Sequence, residues 1–159
     1  MLKPILRLVL CIVICEGAGL IGAIFTTPAI NNWYAALKKP SFQPPNWLFG
    51  PAWTLLFLLM GIALFLVWRQ ALPFSQVRVA VYVFAIQLVL NILWSVLFFG
   101  AKVPLAGLID IAVLWVAILL NIIYFWSISA AAGILLLPYI LWVSFATVLN
   151  AAVVVLNRG

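Results

Sequence analysis

The chain of 159 residues has no histidine, and its only acids are Glu16 and Asp110. Those absences together remove Ser-His-Asp and Cys-His catalysis, zinc hydrolysis and most intramembrane proton relays. The two cysteines, Cys11 and Cys15, lie four apart in one apolar run; they offer no disulfide framework and read as buried small residues. No Walker or Rossmann pattern is present, because the glycines between Glu16 and Ala23 sit inside an apolar helix with no strand before it. Charge is scarce as well: 6% of residues are charged, against roughly a quarter in soluble domains. The formal charge of +6 comes from eight basic residues outside the centres of the apolar runs, so it does not point to nucleic acid. Nothing in this inventory requires a cofactor or supplies a metal-ligand set.

What the chain has in abundance is apolar sequence, 69% of residues with a mean hydropathy of +1.36. Runs of about 20 uncharged residues cross the hydrocarbon layer as helices. Prolines, charges and polar pairs divide the chain into five such runs, near residues 5–27, 47–68, 79–100, 103–126 and 130–156. These leave no length for a second domain. The expectation is an all-α integral membrane protein, a single five-helix bundle over residues 1–159, because open strands would leave backbone groups unpaired in lipid. The first run resumes after Glu16 and is read as a span, not a cleaved leader. Lys3, Arg7, Arg69 and Arg78 balance Lys38, Lys39, Lys102 and Arg158 on the other side, so the positive-inside rule leaves orientation open.

Within the spans, polar and aromatic residues fall on stripes of helical period. Gln87, Asn91, Trp94 and Phe98 share one face of the third span, and amides avoid lipid tails, so this face is expected to look inward. In the fifth, Tyr139, Trp142, Ala146, Leu149 and Asn150 trace a mixed face beginning after Pro138, whose missing N–H loosens the helix locally. Trp53 begins an aromatic-to-aliphatic stripe on the second span. Ala18, Gly22 and Thr26, and Gly19, Ala23 and Thr27, give the first span small faces suited to close helix approach. Of eight tryptophans, Trp47, Trp68 and Trp126 sit at span ends like an interfacial belt, whereas Trp53, Trp94, Trp115 and Trp142 lie inside. Three of those four fall on inward faces, which suits either core packing or a cavity for a large, flat, mostly apolar ligand. Glu16 and Asp110 must face protein or water; they either fix helix packing or handle ligand. The proline-broken segment 28–46 reads as a lid. Its Lys38 and Lys39 either meet ligand carboxylates or face the aqueous boundary.

Several blocks occur together and in order: Trp33-Tyr34 with Leu37, Lys39-Pro40-Ser41, Pro44-Pro45 and Trp47, Gly50-Pro51 and Trp53, then Gln87-Leu88, Asn91, Trp94 and Phe98-Phe99-Gly100. They continue with Pro138-Tyr139, Trp142, Phe145-Ala146-Thr147 and Leu149-Asn150. With these blocks the chain resembles the TspO/MBR family, the tryptophan-rich sensory and translocator proteins once called peripheral-type benzodiazepine receptors. The resemblance implies a five-helix TspO-like bundle, usually a homodimer, in the bacterial cell membrane or, for a eukaryotic member, the mitochondrial outer membrane. It implies a receptor or carrier that binds porphyrins such as protoporphyrin IX and haem, and synthetic ligands such as the isoquinoline carboxamide PK11195, in a pocket closed by the first loop. Tetrapyrrole handling or stress signalling would be its context.

Ligand-binding positions implied by the resemblance are Tyr34, Pro44, Pro45, Trp53, Asn91, Trp94, Trp142, Ala146 and Leu149, and Asp110 matches an acid of some members. One alternative is an enzyme that degrades porphyrin in light, with Trp53 and Trp142 as photochemical candidates. Another is a regulatory scaffold acting through membrane partners. Phe42 and Phe57 depart from the family's frequent Trp and Tyr, and Glu16 matches no family role. The animal-type sterol motif needs a tyrosine after Leu149-Asn150 but meets Ala151-Ala152, so sterol binding through it is not supported.

Overall fold

A computed structural model describes residues 2–70 and 74–158. Among them, five helical stretches are long and apolar enough to cross a membrane: Lys3–Ile30, Asn46–Trp68, Val77–Gly100, Pro104–Ile128 and Ala130–Leu156. The protein is an integral, multi-pass, all-α membrane protein. Its helices are α1 (Leu2–Ile30), α2 (Trp33–Ala36), α3 (Phe49–Trp68), α4 (Phe74–Ser95), α5 (Pro104–Ile128), α6 (Ala130–Leu135) and α7 (Leu137–Leu156). The second span opens with a 3₁₀ turn, Asn46–Leu48.

At about 1.5 Å per residue, the 29 residues of α1 exceed the hydrocarbon thickness, and the helix continues through Pro28 instead of ending at Thr27. Its last turn is closed by Asn32, whose backbone N–H donates to Ala29 O and whose side-chain amide donates to Pro28 O. Two Pro-bearing junctions shape the rest. At the end of α4, a π turn over Val96–Gly100 carries the Ala101 N–H to Val96 O, and Lys102 at φ 58° then reverses the chain into Pro104 at the start of α5. Within the last span, α6 stops at Leu135 and α7 begins at Leu137, because Pro138 cannot supply the N–H that would keep one ladder running.

Around the bundle, α1 packs on α3 and α4, α4 on α5, and α5 on α6 and α7; α3 closes the ring by leaning on α6. Backbones come close where Gly61 of α3 faces α1: a Cβ there would lie 2.7 Å from Ile12 Cα. Beyond the α6–α7 break, α3 and α7 are bridged by aromatic side chains, Phe49 on Trp142 and Trp53 on Tyr139, with ring centroids 5.9 and 6.3 Å apart. Interhelical hydrogen bonds replace the hydrophobic drive that lipid cannot supply. Trp115 Nε1 donates to Ser144 Oγ across α5 and α7, and Asn121 Nδ2 donates to Ala80 O across α5 and α4.

Candidate functional site

The space left between α1, α3, α4 and α7, on the loop side of the Gly61 contact, is a cavity of about 260 Å³. Aromatic side chains stand on three of its four sides: Phe49, Trp53 and Phe57 from α3, Trp94, Phe98 and Phe99 from α4 and its π turn, and Trp142 from α7. Trp94 stacks on Phe98 with centroids 5.1 Å apart, and its indole N–H donates to Asn150 Oδ1 at 3.1 Å, which fixes the ring plane. Asn150 is anchored in turn by donating to Pro104 O at 2.9 Å. Wider than an α turn, the π turn puts Phe98 and Phe99 in the interior together, each less than a tenth exposed.

Polar side chains are interspersed on the wall, among them Thr26, Asn46, Thr54, Asn91, Ser95 and Asn150. Asn91 Nδ2 donates to Tyr139 Oη at 2.7 Å, and that hydroxyl donates to Gln87 Oε1 at 2.9 Å; the Asn91 carbonyl oxygen is left for the cavity. Trp142 contributes its ring to the wall, while its Nε1 is buried and has no acceptor. From the first loop, Tyr34 reaches the cavity beneath Phe98 and Phe99; burial pushes its phenol up to about 12, so it stays neutral at physiological pH. Between α1 and α3 the wall is thin. Leu20, Ala23 and Thr27 on one side and Gly50 and Thr54 on the other line the cavity while exposed on the lipid-facing surface, so the cavity opens sideways between these two helices.

The structure brings Tyr34, Trp53, Asn91, Trp94, Trp142, Ala146 and Leu149 onto one wall, both photochemical candidates among them. Pro44 and Pro45 are not on it; Pro45 instead starts the 3₁₀ turn, whose Asn46 does reach the cavity. The lysines also do something other than await ligand carboxylates. Lys39 Nζ folds back to donate to Tyr34 O, Ala35 O and Leu37 O at 2.8, 3.0 and 2.9 Å, neutralising the carbonyl end of α2. Lys38 is held through its backbone: its N–H donates to Asn157 Oδ1 at 3.0 Å, and Asn157 Nδ2 donates to Lys38 O at 2.9 Å. Asp110 is buried away from the cavity with Oδ2 unpartnered, whereas Glu16 is on the wall.

Sequence reasoning missed Phe57, Phe99 and Ser95 as wall residues, and it read the small face of α1 as helix contact alone. Gly19 is such a contact, since a Cβ there would lie 2.6 Å from the Phe57 ring, yet Gly19, Gly22, Ala23 and Thr26 also form one side of the cavity. Small residues that admit a neighbouring helix equally leave room for a ligand, and only the position of the neighbour decides.

The double hydrogen bond from Asn157 staples the first loop to the end of α7. Asn157→Ala should remove it, and two exposed bonds of about 0.5–1 kcal/mol each amount to roughly tenfold in loop opening. Trypsin cleavage of the Lys38–Lys39 bond in detergent-solubilised protein should therefore accelerate about tenfold. An unchanged rate would show that the staple does not hold the loop.

Comparison with known proteins agrees with this architecture. A profile of the TspO/MBR family matches residues 11–156. The chain is 48% identical over 155 residues to a protein named "Tryptophan-rich protein TspO" from Chlorobaculum tepidum, covering 98% of each. It is 48% identical over 153 residues to the protein of that name from Archaeoglobus fulgidus, covering 96% of this chain and 98% of the relative. To the "Translocator protein" of Homo sapiens it is 35% identical over 140 residues, covering 87% of this chain and 83% of the relative.

Proposed function

We propose that the chain, which belongs to the TspO/MBR family and with it to the membrane receptors and translocators, binds a porphyrin such as protoporphyrin IX or haem in the cavity under its first loop. The observation that carries this reading is the wall itself: flat rings on three of four sides, in a lining that is mostly apolar. Aromatic faces in offset or edge contact contribute about 0.5–1.5 kcal/mol each beyond their buried area, which favours a broad π-system. The sideways opening between α1 and α3 supports an apolar ligand exchanged with the membrane, and the Asn91 carbonyl supplies an acceptor on the wall. Relatives carrying the names "Tryptophan-rich sensory protein" and "Translocator protein" point to sensing or carriage as the use made of binding.

Haem iron would find no histidine in this chain, so the iron adds little and both porphyrins are expected to bind within about tenfold of each other. Tryptophan quenching by protoporphyrin IX tests the site. Trp142→Ala and Asn91→Ala should each weaken binding about tenfold or more, whereas Trp126→Ala, outside the cavity, should change it less than about twofold. Equal losses at all three positions would remove the cavity as the binding site, and a strong haem preference with a low-spin spectrum would contradict the iron-independent mode.

A further inference from the structure

The cavity wall carries one acidic side chain, Glu16, and no lysine or arginine. Glu16 and Gly19 are three residues apart on α1 and so share a face, and Gly19 lies directly against the ring of Phe57. Phe57 in turn lies 5.7 Å from Trp53, centroid to centroid. Glu16, Phe57 and Trp53 thus line the same cavity, on the two helices that meet at Gly19. Neither cation of the first loop answers it: Lys38 and Lys39 are both off the wall, and the Lys39 ammonium is taken by three backbone carbonyls and lies over the Tyr34 ring. Carboxylates within spans persist where they pair, and a carboxylate flanked by π faces is the arrangement that receives an organic cation.

We propose that Glu16 is the specificity-determining anchor of the cavity and that the cavity takes flat aromatic ligands bearing a protonated nitrogen, the charge against Glu16 and the rings against Phe57 and Trp53. This extends the porphyrin reading to a second ligand class, and it rests on that reading only in taking the cavity as the binding site. For a porphyrin it requires the propionates to lie away from Glu16.

The test uses two probes of nearly the same shape, 9-aminoacridine, cationic at neutral pH, and acridine, neutral there, with binding measured on the full chain in a non-ionic detergent. The wild type should bind 9-aminoacridine at least about tenfold more tightly than acridine. E16Q should abolish that preference by weakening 9-aminoacridine alone, and E16D, which keeps the charge, should retain most of it. Acridine affinity serves as the check that each variant is folded, and the wild-type comparison stands without any variant. Equal affinities in the wild type, or a preference that survives in folded E16Q, would overturn the proposal. Protoporphyrin IX binding on the same samples separates the two readings: porphyrin bound without cation preference rejects the role of Glu16 alone, and cation preference without porphyrin binding rejects the porphyrin reading alone.

Discussion

Gly61→Val is expected to destabilise the bundle by about 3 kcal/mol, and Gly61→Ala by about 1–2 kcal/mol. The reason is the nature of the obstacle. A Cβ on Gly61 would meet Ile12 Cα at 2.7 Å, Ile12 N at 3.0 Å and Cys11 O at 3.1 Å, all main-chain atoms of a helix. No rotamer change relieves such a contact; α1 has to move off α3, and the buried packing of Cys11, Cys15 and Met60 around it loosens as it does. Alanine recovers up to about 1 kcal/mol through helix propensity, which is why its net cost is the smaller. Gly17→Ala supplies the internal control, because a Cβ there meets nothing within 4 Å and should leave stability unchanged or slightly raised. Thermal or SDS unfolding in detergent gives the comparison, and equal midpoints for the Gly61 and Gly17 variants would show that α1 and α3 do not touch in this way.

That pair of glycines marks where the sequence stopped being legible. The spans could be read because lipid imposes length and apolarity residue by residue, and the inward faces because amides on a helical stripe avoid hydrocarbon. Both signals are local. Which glycine meets a helix, which meets a ligand space and which meets nothing is set by neighbours that the chain reaches only after folding, so Gly17, Gly22 and Gly61 look alike in the sequence. Lys39 shows a related limit: a lysine near a proline turn reads as a free charge until α2 places three carbonyls within its reach. The π turn at Val96–Gly100 had no signature, since α and π turns of the same apolar residues differ by little until Phe98 and Phe99 find the interior. Glu16 was legible as a costly acid but not as a wall residue, because its face of α1 also reads as a small-residue contact surface.

Tyr139→Phe should lower stability by about 2–3 kcal/mol and weaken protoporphyrin IX about tenfold, although Tyr139 is not on the cavity wall. Its hydroxyl is the centre of a directed chain, accepting from Asn91 Nδ2 and donating to Gln87 Oε1, and the residue is only 1% exposed. Removing the oxygen strands both amides. Asn91 can turn towards the cavity, which spends the fixed orientation of its carbonyl; Gln87, equally buried and already lacking a partner at Nε2, has nowhere to turn and bears the desolvation cost. The two effects can be separated, because replacing both partners of a buried hydrogen bond by apolar groups is close to neutral. Tyr139→Phe combined with Gln87→Leu should therefore recover most of the lost stability while leaving binding weak, since neither change restores the hold on Asn91. If the double variant is as unstable as Tyr139→Phe alone, the cost lies in ring packing against Trp53 and not in the stranded amides; if binding recovers with stability, Asn91 is not oriented through Tyr139.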